Sequence, residues 1–142
     1  MKLENGMKLI FNNNEYIVET NLEHVDLNKS EDIDIYIYDQ HRQIKGYVYF
    51  VVNADSDSIS KRLIPNKAFI LDIISYEAGL GSVMLNMVYD YLKDIGFDEI
   101  SGNLKPNDKK EADFLESFYL KNGYNVSYTA DRTSGKIKKQ VI

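Results

Sequence analysis

Apolar positions change period partway along the chain, and the change divides it into two kinds of structure. Ile33, Ile35 and Ile37 alternate with Asp34, Tyr36 and Tyr38, the two-residue period of a half-buried strand. After the polar turn Asp39–Gln43, the aromatic and β-branched run Tyr47–Val52 predicts a more buried strand pairing back on the first. Upstream, Lys8–Phe11 and Glu15–Thr20 flank Asn12-Asn13-Asn14. Asparagine tolerates the left-handed backbone of a tight turn, so this stretch predicts a hairpin. Residues 21–32 are polar and acidic and predict a loop with one short helical turn. Ala54–Asn66, rich in Ser and Asp and containing Pro65, predicts a connection.

From residue 68 onward the pattern is different. Ala68–Ile74 is apolar except for Asp72, as expected of a central strand covered on both faces. Val83, Met84, Met87, Val88, Tyr91, Leu92 and Ile95 then form one helical stripe, starting at about Ser82 and closed by Gly96. Asp98–Leu104 predicts a strand stopped before Pro106. Asp108 with Glu111 has the spacing of a capping box, and Ala112, Leu115, Phe118 and Tyr119 line one face of a second helix ending at Gly123. Asn125–Thr129 and Lys136–Val141 predict two last strands around the turn Asp131–Gly135. The order predicts an α+β (mixed α/β) fold, residues 1–142 forming a single domain.

Composition narrows the chemistry. The absence of cysteine removes disulfides, a thiol nucleophile, iron–sulfur clusters and cysteine-based zinc sites. His24 and His41 stand apart in polar contexts, so no metal centre is expected. Asp55, Asp57 and their serine neighbours resemble the start of a calcium loop but lack its sixth-position glycine and twelfth-position acid. A net charge of −5 and a pI near 5.0 argue against nucleic acid and suit a cationic partner. No apolar run approaches the roughly 20 residues of a membrane span, and no signal-peptide pattern opens the chain. The expectation is a soluble cytoplasmic protein without membrane contact.

The junction Ile73-Ile74-Ser75-Tyr76-Glu77-Ala78-Gly79-Leu80-Gly81-Ser82 carries the candidate chemistry. Glycines allow close backbone approach, and a helix start adds unpaired amides and a positive dipole end, which together suit a phosphate. The same turn also serves as a plain strand-to-helix connection. A dinucleotide fingerprint would need glycine where Met84 stands, and a phosphate-binding P-loop would need a lysine that is absent.

The segment from Phe69 through this loop, followed by Gly96-Phe97, Asn107 and Phe118-Tyr119-Leu-Lys-Asn-Gly123-Tyr124, resembles the GNAT N-acetyltransferase superfamily over residues 67–126. The resemblance implies a mixed, mostly antiparallel sheet flanked by helices, and acetyl-CoA as co-substrate. It implies that the amides of Gly79, Leu80, Gly81 and Ser82 hold the pyrophosphate. It further implies that the strand at Leu71–Ile73 pairs with the pantetheine arm and that Asn107 contacts that arm. Tyr119 matches the tyrosine that protonates the leaving thiolate. A thiol titrates at about 8.5 and a tyrosine at about 10, so the phenol arrives protonated. The other reading of Tyr119 is an aromatic on the buried face of its helix.

The chain departs from the family pattern in three places. Tyr76 stands where the family has Arg or Gln, and Glu77 places an acid beside the implied phosphate site. The two helices usual between the first strands are replaced by about a dozen polar residues, Asn21–Asp32, leaving surface that a homodimer could cover. No general base is evident: Asp72 and Glu77 both have plain structural readings. The acids Glu31, Asp32 and Asp34 either solubilise the surface or face an amine substrate. The reading is an acetyl-CoA-dependent N-acetyltransferase acting on a small-molecule or peptide amine. The alternative is a non-catalytic module of the same fold that binds acetyl-CoA or a protein partner.

Overall fold

A computed structural model describes residues 2–56 and 63–142. Asp57 and Ser58 of the calcium-like stretch, and the middle of the connection before Pro65, lie outside the described residues. The elements are β1 (Lys8–Phe11), β2 (Asn14–Thr20), β3 (Glu31–Tyr38), β4 (Ile44–Val52), β5 (Lys67–Ser75), α1 (Leu80–Asp94), β6 (Glu99–Leu104), α2 (Lys109–Lys121), β7 (Asn125–Tyr128) and β8 (Gly135–Gln140). One short 3-10 turn, Leu22–His24, occupies the acidic loop. The strands form a single sheet in the order β1-β2-β3-β4-β5-β6-β8-β7, antiparallel except between β5 and β6.

Local chemistry accounts for the turns. Asn12 and Asn13 both take positive φ (51° and 63°), the conformation a two-residue hairpin with right-twisted strands requires. Asp108 caps α2 by accepting the Glu111 amide at 2.7 Å. α1 starts two residues earlier than its apolar stripe predicts, because Gly79 (φ 85°) bends the backbone left-handed and lets Leu80 open the helix.

A row of side chains runs across six strands on one face: Ile33, Phe50, Ile70, Gly102, Ile137 and Val126. Both helices cover this face. Met84 of α1 packs where a side chain at Gly46 would stand, and Tyr128 donates its hydroxyl to the Ala112 carbonyl of α2 at 2.9 Å. The core therefore lies on one side of the sheet. The alternate residues of β3 and β4, among them Asp34, Tyr36, Tyr47 and Tyr49, point to the other side. No described helix is long and apolar enough to cross a membrane.

Asn53, at the end of β4, is the one buried polar residue among those described. Its side-chain amide donates to the carbonyls of Leu27 (2.9 Å) and Lys29 (2.8 Å), and its oxygen accepts the Asn66 amide at 3.1 Å. One side chain thus ties the acidic loop to the connection entering β5. Asn53→Asp would aim a carboxylate oxygen at two carbonyls. We expect it to lower unfolding free energy by more than about 2 kcal/mol in urea titrations.

Candidate active site

The site begins with strand geometry. β4 stays paired with β5 from Ala68 to Ser75, whereas β6 pairs with β5 only from Lys67 to Ile70. Tyr49 pairs with Asp72 and Phe50 with Ile70, so Leu71 is an extra, bulged residue at the point where β6 departs. Beyond it, one edge of β5 carries peptide groups with no strand partner. The bulge also resets alternation: Leu71 and Asp72 are both exposed, and Ile73 is half-buried beside the gap.

The gap opens into a cleft of about 650 Å³. Ile73 and the loop Ser75–Gly79 form one wall, and Phe114, Phe118 and Tyr119 of α2 form the other. Gly81 lines the cleft but is buried, and a side chain there would meet the Phe118 ring at 3.1 Å, so this glycine serves the close approach of α2 to α1. Asn122 donates to the Ser82 hydroxyl at 3.1 Å and fastens the same junction. Of the four loop amides singled out from sequence, that of Leu80 is engaged with the Glu77 carbonyl at 3.2 Å. Gly79, Gly81 and Ser82 line the cleft, the last two in the first turn of α1, where amides have no partner one turn back.

Glu77 lines the cleft and is tied to the first hairpin. Its carboxylate accepts the hydroxyl of Tyr16, a β2 residue 2% exposed, and that hydrogen bond together with burial raises the Tyr16 pKa. Phe11 of β1 reaches the same loop: a side chain added at Gly79 would meet its ring at 3.0 Å. The first hairpin therefore braces the loop, a role nothing local in Lys8–Thr20 announces. A cation comes from elsewhere. Tyr76 is exposed and uncharged, but Lys121, in the last turn of α2, lines the cleft.

Tyr119 is 3% exposed, its ring edge-on to Phe118 (5.0 Å) and Tyr124 (5.4 Å). Its hydroxyl makes no hydrogen bond to the described residues, and it lines both the cleft and the gap beside Asp72. Burial, and then the Asp72 carboxylate, push its pKa well above the ordinary 10.0. The ring belongs to the core, as one of the two readings expects. Asn107 is different. It is exposed at the start of α2 with its amide on the Glu111 carboxylate at 3.2 Å, and it lines neither the cleft nor the gap. Among the described residues no three His, Asp or Glu side chains are grouped to hold a metal.

No protein-family model matches the sequence, and no curated protein matches it either. Solved structures do match in fold. An acetyltransferase of the GNAT family from Listeria monocytogenes superposes with a TM-score of 0.63 at 10% identity, over 94% of this chain and 99% of that one. The ribosomal-protein-S18-alanine N-acetyltransferase from Escherichia coli gives 0.52 at 13% identity, over 78% of this chain and 69% of that one. A GNAT family N-acetyltransferase from Escherichia coli in complex with CoA gives 0.52 at 13%, over 78% and 59%. The chain has the GNAT acetyltransferase fold.

Because the Tyr119 hydroxyl bonds to no described residue, Tyr119→Phe is expected to leave the unfolding free energy from urea titration within about 0.5 kcal/mol of wild type. Tyr124→Phe, which removes a buried hydroxyl also without a partner, should be neutral or stabilising by up to about 1 kcal/mol.

Proposed function

We propose that this chain is an acetyl-CoA-dependent N-acetyltransferase acting on an amine. One observation carries the reading: a buried tyrosine with an unpartnered hydroxyl sits where β5 and β6 part, at the inner end of a cleft whose mouth is a helix N-terminus. The residues present fit a CoA thioester. The free edge of β5 at Leu71 and Ile73 offers amide and carbonyl groups in strand spacing to the pantetheine amides. The amides of Gly79, Gly81 and Ser82, with Lys121 opposite, offer donors and positive charge to the pyrophosphate. Glu77 lines the same cleft, its carboxylate held by the Tyr16 hydroxyl.

Bound there, the thioester supplies an activated acetyl group. The remaining chemistry belongs to the chain. The acetyl C–N bond forms as the C–S bond breaks, Tyr119 gives its proton to the departing sulfur, and the nitrogen's surplus proton leaves to water. A phenol raised above 10.0 is a weak donor for a thiolate of ordinary basicity. The burial that raises Tyr119 raises the thiol beside it too, which narrows the mismatch.

Saturating acetyl-CoA, at about 100 times its dissociation constant, should stabilise the fold by roughly 2.7 kcal/mol. Lys121→Glu should weaken that binding at least about tenfold while Tm without ligand stays unchanged. No stabilisation by acetyl-CoA would refute the reading.

Turnover gives the second test. Tyr119→Phe should bind acetyl-CoA within about tenfold of wild type yet lose roughly 100-fold or more in kcat. In wild type, kcat/KM should climb with pH as the amine deprotonates and should not turn down below pH 10.0, because Tyr119 keeps its proton there. A chain that binds acetyl-CoA and acetylates no amine is instead a ligand-binding module of this fold.

A further inference from the structure

The sheet face opposite the helices carries a second ordered group of side chains. Asp34, Tyr49 and Asp72 lie in register across β3, β4 and β5, so the two carboxylates stand two strand spacings, about 10 Å, apart. Tyr36 and Tyr47 form the adjacent row. The Tyr47 and Tyr49 rings lie 4.9 Å apart, the Tyr36 and Tyr49 rings 5.8 Å apart, and the Tyr36 and Tyr49 hydroxyls bond to each other. The result is a half-buried platform of ring faces with an acid at each side. Among the described residues neither Asp34 nor Asp72 is paired with a lysine or arginine. The neighbouring Tyr38 already takes a cation on its ring, the Arg42 guanidinium at 4.4 Å.

The platform opens on the gap in the sheet. Asp72 is exposed on this face and lines the gap together with Tyr119, a buried residue of α2 whose hydroxyl bonds to no described residue. Asp72 is near enough for its charge to raise the Tyr119 pKa. A nitrogen held at Asp72 therefore stands at the gap that Tyr119 also lines, with the rest of the molecule outward over Tyr49 toward Asp34.

Resting on the transferase reading, we propose that this face is the acceptor site and that it takes a small amine with a second positive charge. The reacting nitrogen is held at Asp72, and the distal cation is held over the Tyr49 and Tyr36 rings by Asp34. The hydrogen bond to Tyr49 and then burial push the Tyr36 phenol to about 12, so that ring stays neutral. Ring faces attract cations, and a carboxylate at the far side adds a charge-assisted contact that a monoamine cannot use.

The test is calorimetric binding of spermidine, a linear triamine, and of n-butylamine to the full chain at low salt without acetyl-CoA. Wild type, Asp34→Asn, Asp72→Asn and Tyr49→Leu are compared, with Tm measured for each. We expect spermidine to bind at least roughly tenfold tighter than n-butylamine. Asp34→Asn and Tyr49→Leu should remove most of that advantage and leave n-butylamine unchanged, whereas Asp72→Asn should weaken both. Equal affinities, an Asp34→Asn variant without effect, or burial of this face in a dimer at the working concentration would overturn the proposal. Acetyl transfer with no preference for a second charge would overturn this inference and leave the transferase reading standing. Spermidine binding with these variant effects in a chain that ignores acetyl-CoA would do the reverse.

Discussion

Everything of functional interest depends on a failure of pairing. A strand in the middle of a sheet normally satisfies its peptide groups on both sides, yet β5 does so only as far as Ile70. Its pairing with β4 continues to Ser75, so the strand keeps its place while its other edge is exposed. The extra residue at Leu71 coincides with the parting and supplies the added twist that turns β5 away from β6. Unpaired peptide groups inside a domain are costly unless water or a ligand meets them. Here they are displayed along a cleft.

The parting also connects the two faces of the sheet. One face is packed under α1 and α2, and the other bears tyrosines and acids. Elsewhere the backbone separates them, but at the gap Tyr119 and Asp72 line the same opening. Among the described residues no α-helix covers the face that bears Tyr36, Tyr47 and Tyr49. The short acidic loop after β2 is held firmly, because Asn53 satisfies two of its carbonyls from within the protein.

The cleft mouth shows how a unit distant in sequence conditions a local motif. A Gly-x-Gly turn before a helix positions amides, but an acid beside it would repel an anion. Tyr16 fixes where that carboxylate sits by donating a hydrogen bond to Glu77, and Phe11 packs into the space left by Gly79. The glycine at 81 is small because the Phe118 ring packs against it.

Period and turn chemistry are local, and on them the sequence alone determined the element order, the hairpin at Asn12-Asn13, the cap at Asp108 and the identity of the loop. Tyr119 was legible too, since its place in a helix ending at Gly123 follows from spacing. The start of α1 was misplaced by two residues, because an apolar stripe marks where a helix packs and not where its backbone turns. The bulge at Leu71 left no trace, for a single extra residue in an apolar run does not alter its composition. Asn107, assigned to the cofactor arm only by resemblance, lies beside Glu111 at the start of α2. Lys121 answering for the uncharged Tyr76, Tyr16 holding Glu77, and Asp34 aligned with Asp72 join residues 45, 61 and 38 positions apart. Such partners are set by sheet order, twist and helix docking, and these exist only once the chain has folded.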